Sequence, residues 1–490
     1  MAGERRTTTV GQLPTPESQP SRVPVALTRL VWLLWVASLG VLAVWFHRGE
    51  GWAPAGMVVV DGLTVVMWTT VTFFSGVVHS YSRRYMAGDR AVDRFFGRVF
   101  AFTLAVMLLV AADGLVVFGA AWLAMGLVMS GLIGHGGDRA ARAAAALARR
   151  YVPRELGAAR PRPRGAVVAH RSDDRLRRRR TVVTASPPVL FAAGALLLAA
   201  MVQSALVPFH AWLLSSMTAP TPASALMHAG FVNAGGVLLV RFAPVVTVDS
   251  RFMLAVVLVG ATSAILGKLL KTVRADVKGG LGCSTVGQMG FMIAQAGLGF
   301  FAAAVTHLVL HGFYKAYQFL GSGGRVTREH PTASAPTRST TAAGVAVTVG
   351  TALAGGALFT ALTGKGTGLN GGLLLTLLVV LTTLHAARDV VTRTALPKAA
   401  RYGAVPAVAL PALAVYGGVY GVVERLLAGL PAVGEPEALT AVHGVVAVAF
   451  VLAYLVVESG VYRRSPRLYV WLLNATSPPA ETRLEGHDDS

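Results

Sequence analysis

Long apolar runs alternate with short polar breaks along almost the whole chain. A helix needs roughly 20 apolar residues to cross a bilayer. Thirteen runs approach that length, near 30–46, 62–79, 99–112, 114–133, 189–207, 222–240, 252–270, 281–299, 300–320, 342–362, 371–387, 403–422 and 440–457. Period-two alternation of the porin kind is absent. The pattern predicts an all-α polytopic membrane protein, a bundle of about thirteen transmembrane helices. Polarity divides the chain into five parts. These are a polar N-terminal segment (1–29), N-terminal transmembrane helices (30–135), a basic segment (136–188), a core with C-terminal helices (189–460) and a polar tail (461–490).

Composition agrees. Charged residues make up 14% of the chain, against about 25% in soluble domains, and the mean hydropathy is +0.59. The first 29 residues are polar and carry Arg5, Arg6, Arg22 and Arg29, so no signal peptide is expected. Cys283 is the one cysteine, which rules out an intrachain disulfide and a cysteine cluster. A net charge of +21 suggests nucleic acid in a soluble protein. Here most of the excess lies between apolar runs and reads as loop charge facing the cytoplasm. The bilayer, and no nucleic acid, is the expected surrounding.

The loop charges conflict with a plain count of thirteen. If the N-terminus is inside, Arg83–Arg98 and the basic stretch 138–180 fall inside, as they should. That stretch alone holds fourteen arginines against four acids. The later clusters then fall outside: Lys271/Arg274/Lys278, Arg325/Arg328/Arg338, Arg388/Arg393/Lys398/Arg401 and Arg463/Arg464/Arg467. One crossing gained or lost between about 136 and 250 restores the rule. Either residues 136–188 replace a lost span, or they form a basic loop and the chain re-enters the membrane around Pro208–Pro222.

The chemistry concentrates in Ala302–Leu320, where His307, His311 and Lys315 recur every four residues. That spacing keeps them near one helix face. Ionisable groups inside a bilayer cost roughly 3 kcal/mol or more each, so they usually face a bundle interior or a wet path. Two imidazoles and an amine in a row suit proton transfer. A metal is not expected, because His307 and His311 lack a third ligand of suitable spacing, and no cofactor motif is seen. Upstream, Pro208, Pro220 and Pro222 interrupt apolar sequence flanked by His210 and His228. Broken helices are tolerated where they line a cavity or pack in protein. Each of these histidines is either a relay group or a helix-packing donor.

Several motifs recur in one order. They are Asp61-Gly62-Leu63 with His79, Phe95-Phe96, Ala112-Asp113 leading to Trp122, the Pro208–Ala229 stretch, Asp276–Gly290 and the His307/His311/Lys315 helix. Together they resemble the antiporter-like membrane subunits of respiratory complex I and of Mrp sodium/proton antiporters. The resemblance implies inverted five-helix repeats, broken helices and a proton path. Two departures matter: Leu123 and Gln203 stand where the complex I subunits carry a glutamate and a lysine. The stretches Asn233–Gly236, Arg241–Pro244 and Gly287–Met292 resemble the DabB family, the membrane subunits of inorganic-carbon accumulation complexes. That resemblance implies a cation-conducting subunit of the cell (cytoplasmic or inner) membrane, not itself an enzyme. It also implies a soluble, zinc-binding, DabA-like partner that hydrates CO2. A complex I-like or Mrp-type subunit, and a non-conducting or degenerate structural subunit, remain as alternatives.

The relay expected on this basis is His228, Lys268, His307, His311 and Lys315. Lys268 either relays protons or snorkels beside Lys271. His385 is an exit group or an interface residue, Asp113 a buried carboxylate or a turn residue, and His210 a further relay candidate.

Overall fold

The computed structural model describes residues 21–53, 57–158, 184–322, 341–393, 397–433, 438–477, 479 and 482. Among them, regular structure is helical, and β pairing is confined to isolated bridges such as Trp52 with Val60. The first helices are α1 (Val23–Arg48), α2 (Gly62–Tyr85), α3 (Val92–Ala111), α4 (Leu115–Ile133) and α5 (Arg139–Ala158). A broken crossing follows, α6 (Pro187–Gln203) with α7 (Ala211–Ser215). A second break separates α8 (Thr221–Ala229) from α9 (Ala234–Arg241), ahead of the short α10 (Ala243–Val246). Next come α11 (Ser250–Thr272), α12 (Val277–Gly297), α13 (Phe301–Leu320), α14 (Ala342–Thr363), α15 (Gly372–Arg393), α16 (Lys398–Leu427) and α17 (Ala441–Ser459). The described helices end with α18 (Val461–Arg464) and α19 (Pro466–Thr476).

Local chemistry sets several starts. Asp61, Asp249, Asp276 and Thr341 each accept a backbone N–H of the first turn, from Thr64, Phe252, Gly279 and Gly344. Ten units among the described residues are long and apolar enough to cross a membrane. The pair α6–α7 together with α12 and α13 brings the apolar crossing units to thirteen, the number of apolar runs in the sequence. α12 and α13 have the length, 21 and 20 residues, and fall short only in apolarity. That shortfall reflects glycines in one and His307, His311 and Lys315 in the other.

Side-chain bonds satisfy the breaks. Gln203 Nε2 donates to the Phe231 carbonyl at 2.7 Å, Ser204 Oγ to Val232 at 2.8 Å, and Asn233 Nδ2 to Ala229 at 2.7 Å. Trp212 Nε1 donates to the Val202 carbonyl at 2.9 Å. Backbone groups freed inside a bilayer cost several kcal/mol each if left bare, so these four side chains are what makes the breaks tolerable. Glycines then bring α11 and α12 backbone to backbone: a Cβ on Gly260 or Gly267 would lie 2.4 Å from Ala294 or 2.2 Å from Gly287.

Cross-helix contacts show which ends lie together. At one end, Tyr85 donates to Thr221 at 3.2 Å, Lys278 to the Ala219 carbonyl at 3.0 Å, and His135 meets Asp89 at 3.2 Å. Lys268, His385 and Glu458 join the ends of α11, α15 and α17 there. At the other end, Arg241 pairs with Asp61, Gly62 packs on Leu426, and Gly371 packs on Leu298. The described parts of the basic loops therefore share one end, called the basic end below. α4 finishes at the basic end. α6 begins at the other, where it packs on α10, and runs with α7 through to Ala219. The Pro208 break is thus traversed rather than returned from. Between Gly134 and Pro187 the chain changes ends, and α5 folds back along α4 on that path, with Gly134 against Ala141 and Ala145. Residues 159–183 of the basic segment lie outside the described residues.

Candidate functional site

α13 is the axis of the site. It packs against α8, α12 and α2, and Gly312 lets Phe74 and the Ala229 carbonyl approach closely. The four-residue spacing holds as the helix predicts: the His307 and His311 rings stack with centroids 5.8 Å apart and planes 14° apart. His307 is half-buried against Phe291, while His311 and Lys315 are buried.

Lys315 ends the line in a shared carbonyl. Its Nζ donates to the Leu281 carbonyl at 2.8 Å. The Thr285 hydroxyl donates to the same oxygen at 3.0 Å and lies 2.9 Å from His228 Nδ1. With that hydrogen given to Leu281, the hydroxyl accepts from His228, which places the ring hydrogen on Nδ1. His228 Nε2 is then the basic atom. It is buried and has no hydrogen-bond partner within the protein, like His307 Nε2 and both ring nitrogens of His311. Buried nitrogens of this kind are costly unless water or a transferred proton meets them. Three such atoms lie on α13, and the fourth meets that helix from α8, where the His228 ring stacks on Phe319.

The structure gathers His228, His307, His311 and Lys315 and sets the other candidates apart. Lys268 is exposed on α11 and donates to His385 Nε2 at 2.8 Å. His385 Nδ1 then donates to Glu458, which Arg388 also holds. Lys268 and His385 so form a second cluster at the basic end, outside the buried line. Asp113 takes the turn position, exposed between α3 and α4, with its N–H on the Met57 carbonyl at 3.1 Å. His210 sits under the C-terminal segment, 3.0 Å from the Ala475 carbonyl.

One participant escapes a reading of the apolar runs. Lys365 lies in the turn after α14, yet it is only 8% exposed. Its Nζ is 4.4 Å from the centroid of Phe300, the cap residue of α13, and 4.3 Å from that of Tyr420. It donates to Tyr420 Oη, which donates to Glu424 at the surface. Burial lowers the Lys365 pKa to about 8, against the opposing pull of Glu424. Phe300 to Lys315 is fifteen residues, or roughly 22 Å of helix, so the groups span most of a hydrocarbon core about 30 Å thick. Lys365 sits among glycines, and Tyr420 and Glu424 come from another helix, so only their shared i, i+4 spacing was legible.

The two departures noted in the sequence have plain structural roles. Leu123 is on the outer face of α4, 36% exposed. Gln203 is committed to the Phe231 carbonyl.

Comparison with known proteins agrees with this architecture. Residues 174–340 match the NADH:quinone oxidoreductase/Mrp antiporter transmembrane family. Residues 45–96 match the N-terminus of chain 5 of NADH-ubiquinone oxidoreductase, complex I. The chain is 35% identical over 298 residues to a probable inorganic carbon transporter subunit DabB1 of Halothiobacillus neapolitanus, covering 58% of this chain and 52% of that one. It is 35% identical over 292 residues to NADH-quinone oxidoreductase subunit L of Mycobacterium tuberculosis, covering 57% and 46%. The chain thus spans about half the length of the curated relatives it matches. Among solved structures, a chain of an Mrp complex from Dietzia sp. superposes with a TM-score of 0.61 at 23% identity, covering 91% of this chain and 56% of that one.

Proposed function

We propose, for a chain whose residues 174–340 carry the membrane domain of NADH:quinone oxidoreductase and Mrp antiporter subunits, that it conducts protons across the cell membrane as one subunit of an inorganic-carbon accumulation complex. The carrying observation is the buried line itself. His307, His311 and Lys315 on α13 meet His228 through Thr285 and the Leu281 carbonyl. Beyond its far end, Lys365 sits beside Phe300 and leads through Tyr420 and Glu424 to the surface.

A proton entering at Glu424 passes by Tyr420 to Lys365, then down the α13 face through water between the unpartnered ring nitrogens to Lys315. Lys268, His385 and Glu458 provide acceptors at the basic end. One proton crossing a potential of about 100 mV releases about 2.3 kcal/mol. Similarity to the DabB subunits supports a soluble, zinc-binding, DabA-like partner as the recipient of that energy, for hydration of CO2. The chain itself then supplies a path and no covalent chemistry.

The competing reading is a subunit of a redox-driven pump or a cation antiporter, as the likeness to subunit L suggests. Leu123 faces outward and Gln203 is engaged in structure, so the acid–lysine pair of a first half-channel is not assembled here. Purification from the native membrane separates the two readings. A co-purifying zinc protein with CO2-hydrating activity supports the first. Co-purifying quinone-reductase subunits overturn it.

A further inference from the structure

Away from the proton line, three arginines line one cavity of about 290 Å³ beside α5. Arg98 comes from α3, and Arg142 and Arg149 from α5, with Ser130, Gly131 and Gly134 of the α4 end completing the wall. The arrangement follows from the sequence of α5. Its alanines Ala141, Ala144, Ala145 and Ala148 are buried and allow a close approach to α4. Arg142 and Arg149, seven residues apart, then share the neighbouring face. Arg98 lies flat on α4: its Nη1 donates to the Gly131 carbonyl at 2.7 Å, and a Cβ on Gly131 would be 3.2 Å from its Nε.

Among the described residues, these guanidinium groups form no ion pair with a carboxylate. Two acids of the basic end are engaged elsewhere. Asp89 holds His135 at 3.2 Å, and Asp138 accepts the Ala141 N–H at 2.6 Å. Depth adds to the requirement. Arg149 is ten residues along α5, and Arg98 six residues into α3, or roughly 15 and 9 Å of helix from the basic end. A guanidinium at the edge of the hydrocarbon is costly unless an anion meets it, and its fork suits two oxygens of a phosphate. Arg142, Arg149 and Ala146 are exposed at the mouth, so the cavity is reachable from outside the bundle.

We propose that this cavity binds a phosphate-bearing anion, supplied by the headgroup of an anionic phospholipid or by free phosphate. The lateral mouth and the depth favour the lipid. An anion here also accounts for how α5, with its arginines, keeps a place among apolar helices.

The test uses the full chain purified in detergent, loaded with phosphatidylglycerol or phosphatidylcholine and read by native mass spectrometry. Wild type is expected to retain phosphatidylglycerol over phosphatidylcholine. The Arg98→Gln/Arg142→Gln/Arg149→Gln variant should lose that retention by a factor on the order of 100, at about fivefold per basic residue. Arg149→Lys, which keeps the charge and loses the fork, should fall between them, and serves if the triple variant does not fold. Inorganic phosphate is added as a competitor. Displacement of lipid only at high excess assigns the site to the headgroup, and tight binding of phosphate alone assigns it to the free ion. Equal retention of the two lipids, or retention unchanged in both variants with no phosphate bound, overturns the proposal.

Discussion

Lys315 Nζ donates to the carbonyl oxygen of Leu281 at 2.8 Å, one turn before Thr285 on the facing helix. The same oxygen takes the Thr285 hydroxyl at 3.0 Å. A single carbonyl therefore couples the amine on α13 to the imidazole on α8. Any proton resting on Lys315 is felt at His228 through three hydrogen bonds.

The coupling predicts that Thr285→Val slows proton flux in proteoliposomes while the chain still folds. Loss of the hydroxyl leaves His228 Nδ1 without its partner, at about 1–3 kcal/mol. Thr285→Ser should restore most of the flux. Equal flux in the Val variant and wild type would count against the link.

Lys365 predicts the pH dependence. Its pKa is lowered to about 8, chiefly by burial. The amine is charged below that value and neutral above it, so its capacity to accept a proton rises as pH climbs through 8. Flux measured against pH at constant driving force should therefore show an inflection near pH 8. Lys365→Gln should remove the inflection and lower the flux. An inflection that survives in the variant assigns it to another group.

Asp61 and Arg241 predict a stability effect separate from conduction. Their side chains are 16% and 13% exposed and join α2 to α9. Arg241 also reaches the Val110 carbonyl at the end of α3. Removing one member of a mostly buried pair typically costs about 3–5 kcal/mol, so Arg241→Gln should melt well below wild type in detergent. Replacing both residues should recover part of the loss. An unchanged melting temperature for Arg241→Gln would show the pair to be dispensable.

Gln203 predicts a loss without a gain. Gln203→Leu leaves the Phe231 carbonyl bare inside the bundle, at about 1–3 kcal/mol. The expected result is lower thermal stability in detergent, with flux per folded molecule retained. Loss of flux at full stability would instead place Gln203 in the path.

Much of the bundle was legible in the sequence because apolar length is a local property. Each of the thirteen runs carries its own signal, and α13 carries its three ionisable residues at a helical spacing. What joins distant segments was not legible. Lys365 falls between two apolar runs and carries no signal of its own, because its burial comes from Phe300 and Tyr420, which lie 65 and 55 positions away in the chain. Lys268 looked like part of the central row, since spacing alone says nothing of the face a helix turns outward. The structure gives it His385 and Glu458 instead. The conflict between loop charges and thirteen runs pointed to the stretch between Gly134 and Pro187. It did not reveal α5, whose arginines hide a helix from any reading based on apolar length.

The central claim is that protons pass along the α13 face to Lys315. The most direct measurement is proton flux into proteoliposomes that contain the purified chain, driven by a potassium-diffusion potential. Wild type and Lys315→Ala are compared at equal incorporation. The account predicts flux in wild type and its loss, by tenfold or more, in Lys315→Ala, a range typical of removing a proton-transfer group. Equal flux in the two would contradict it.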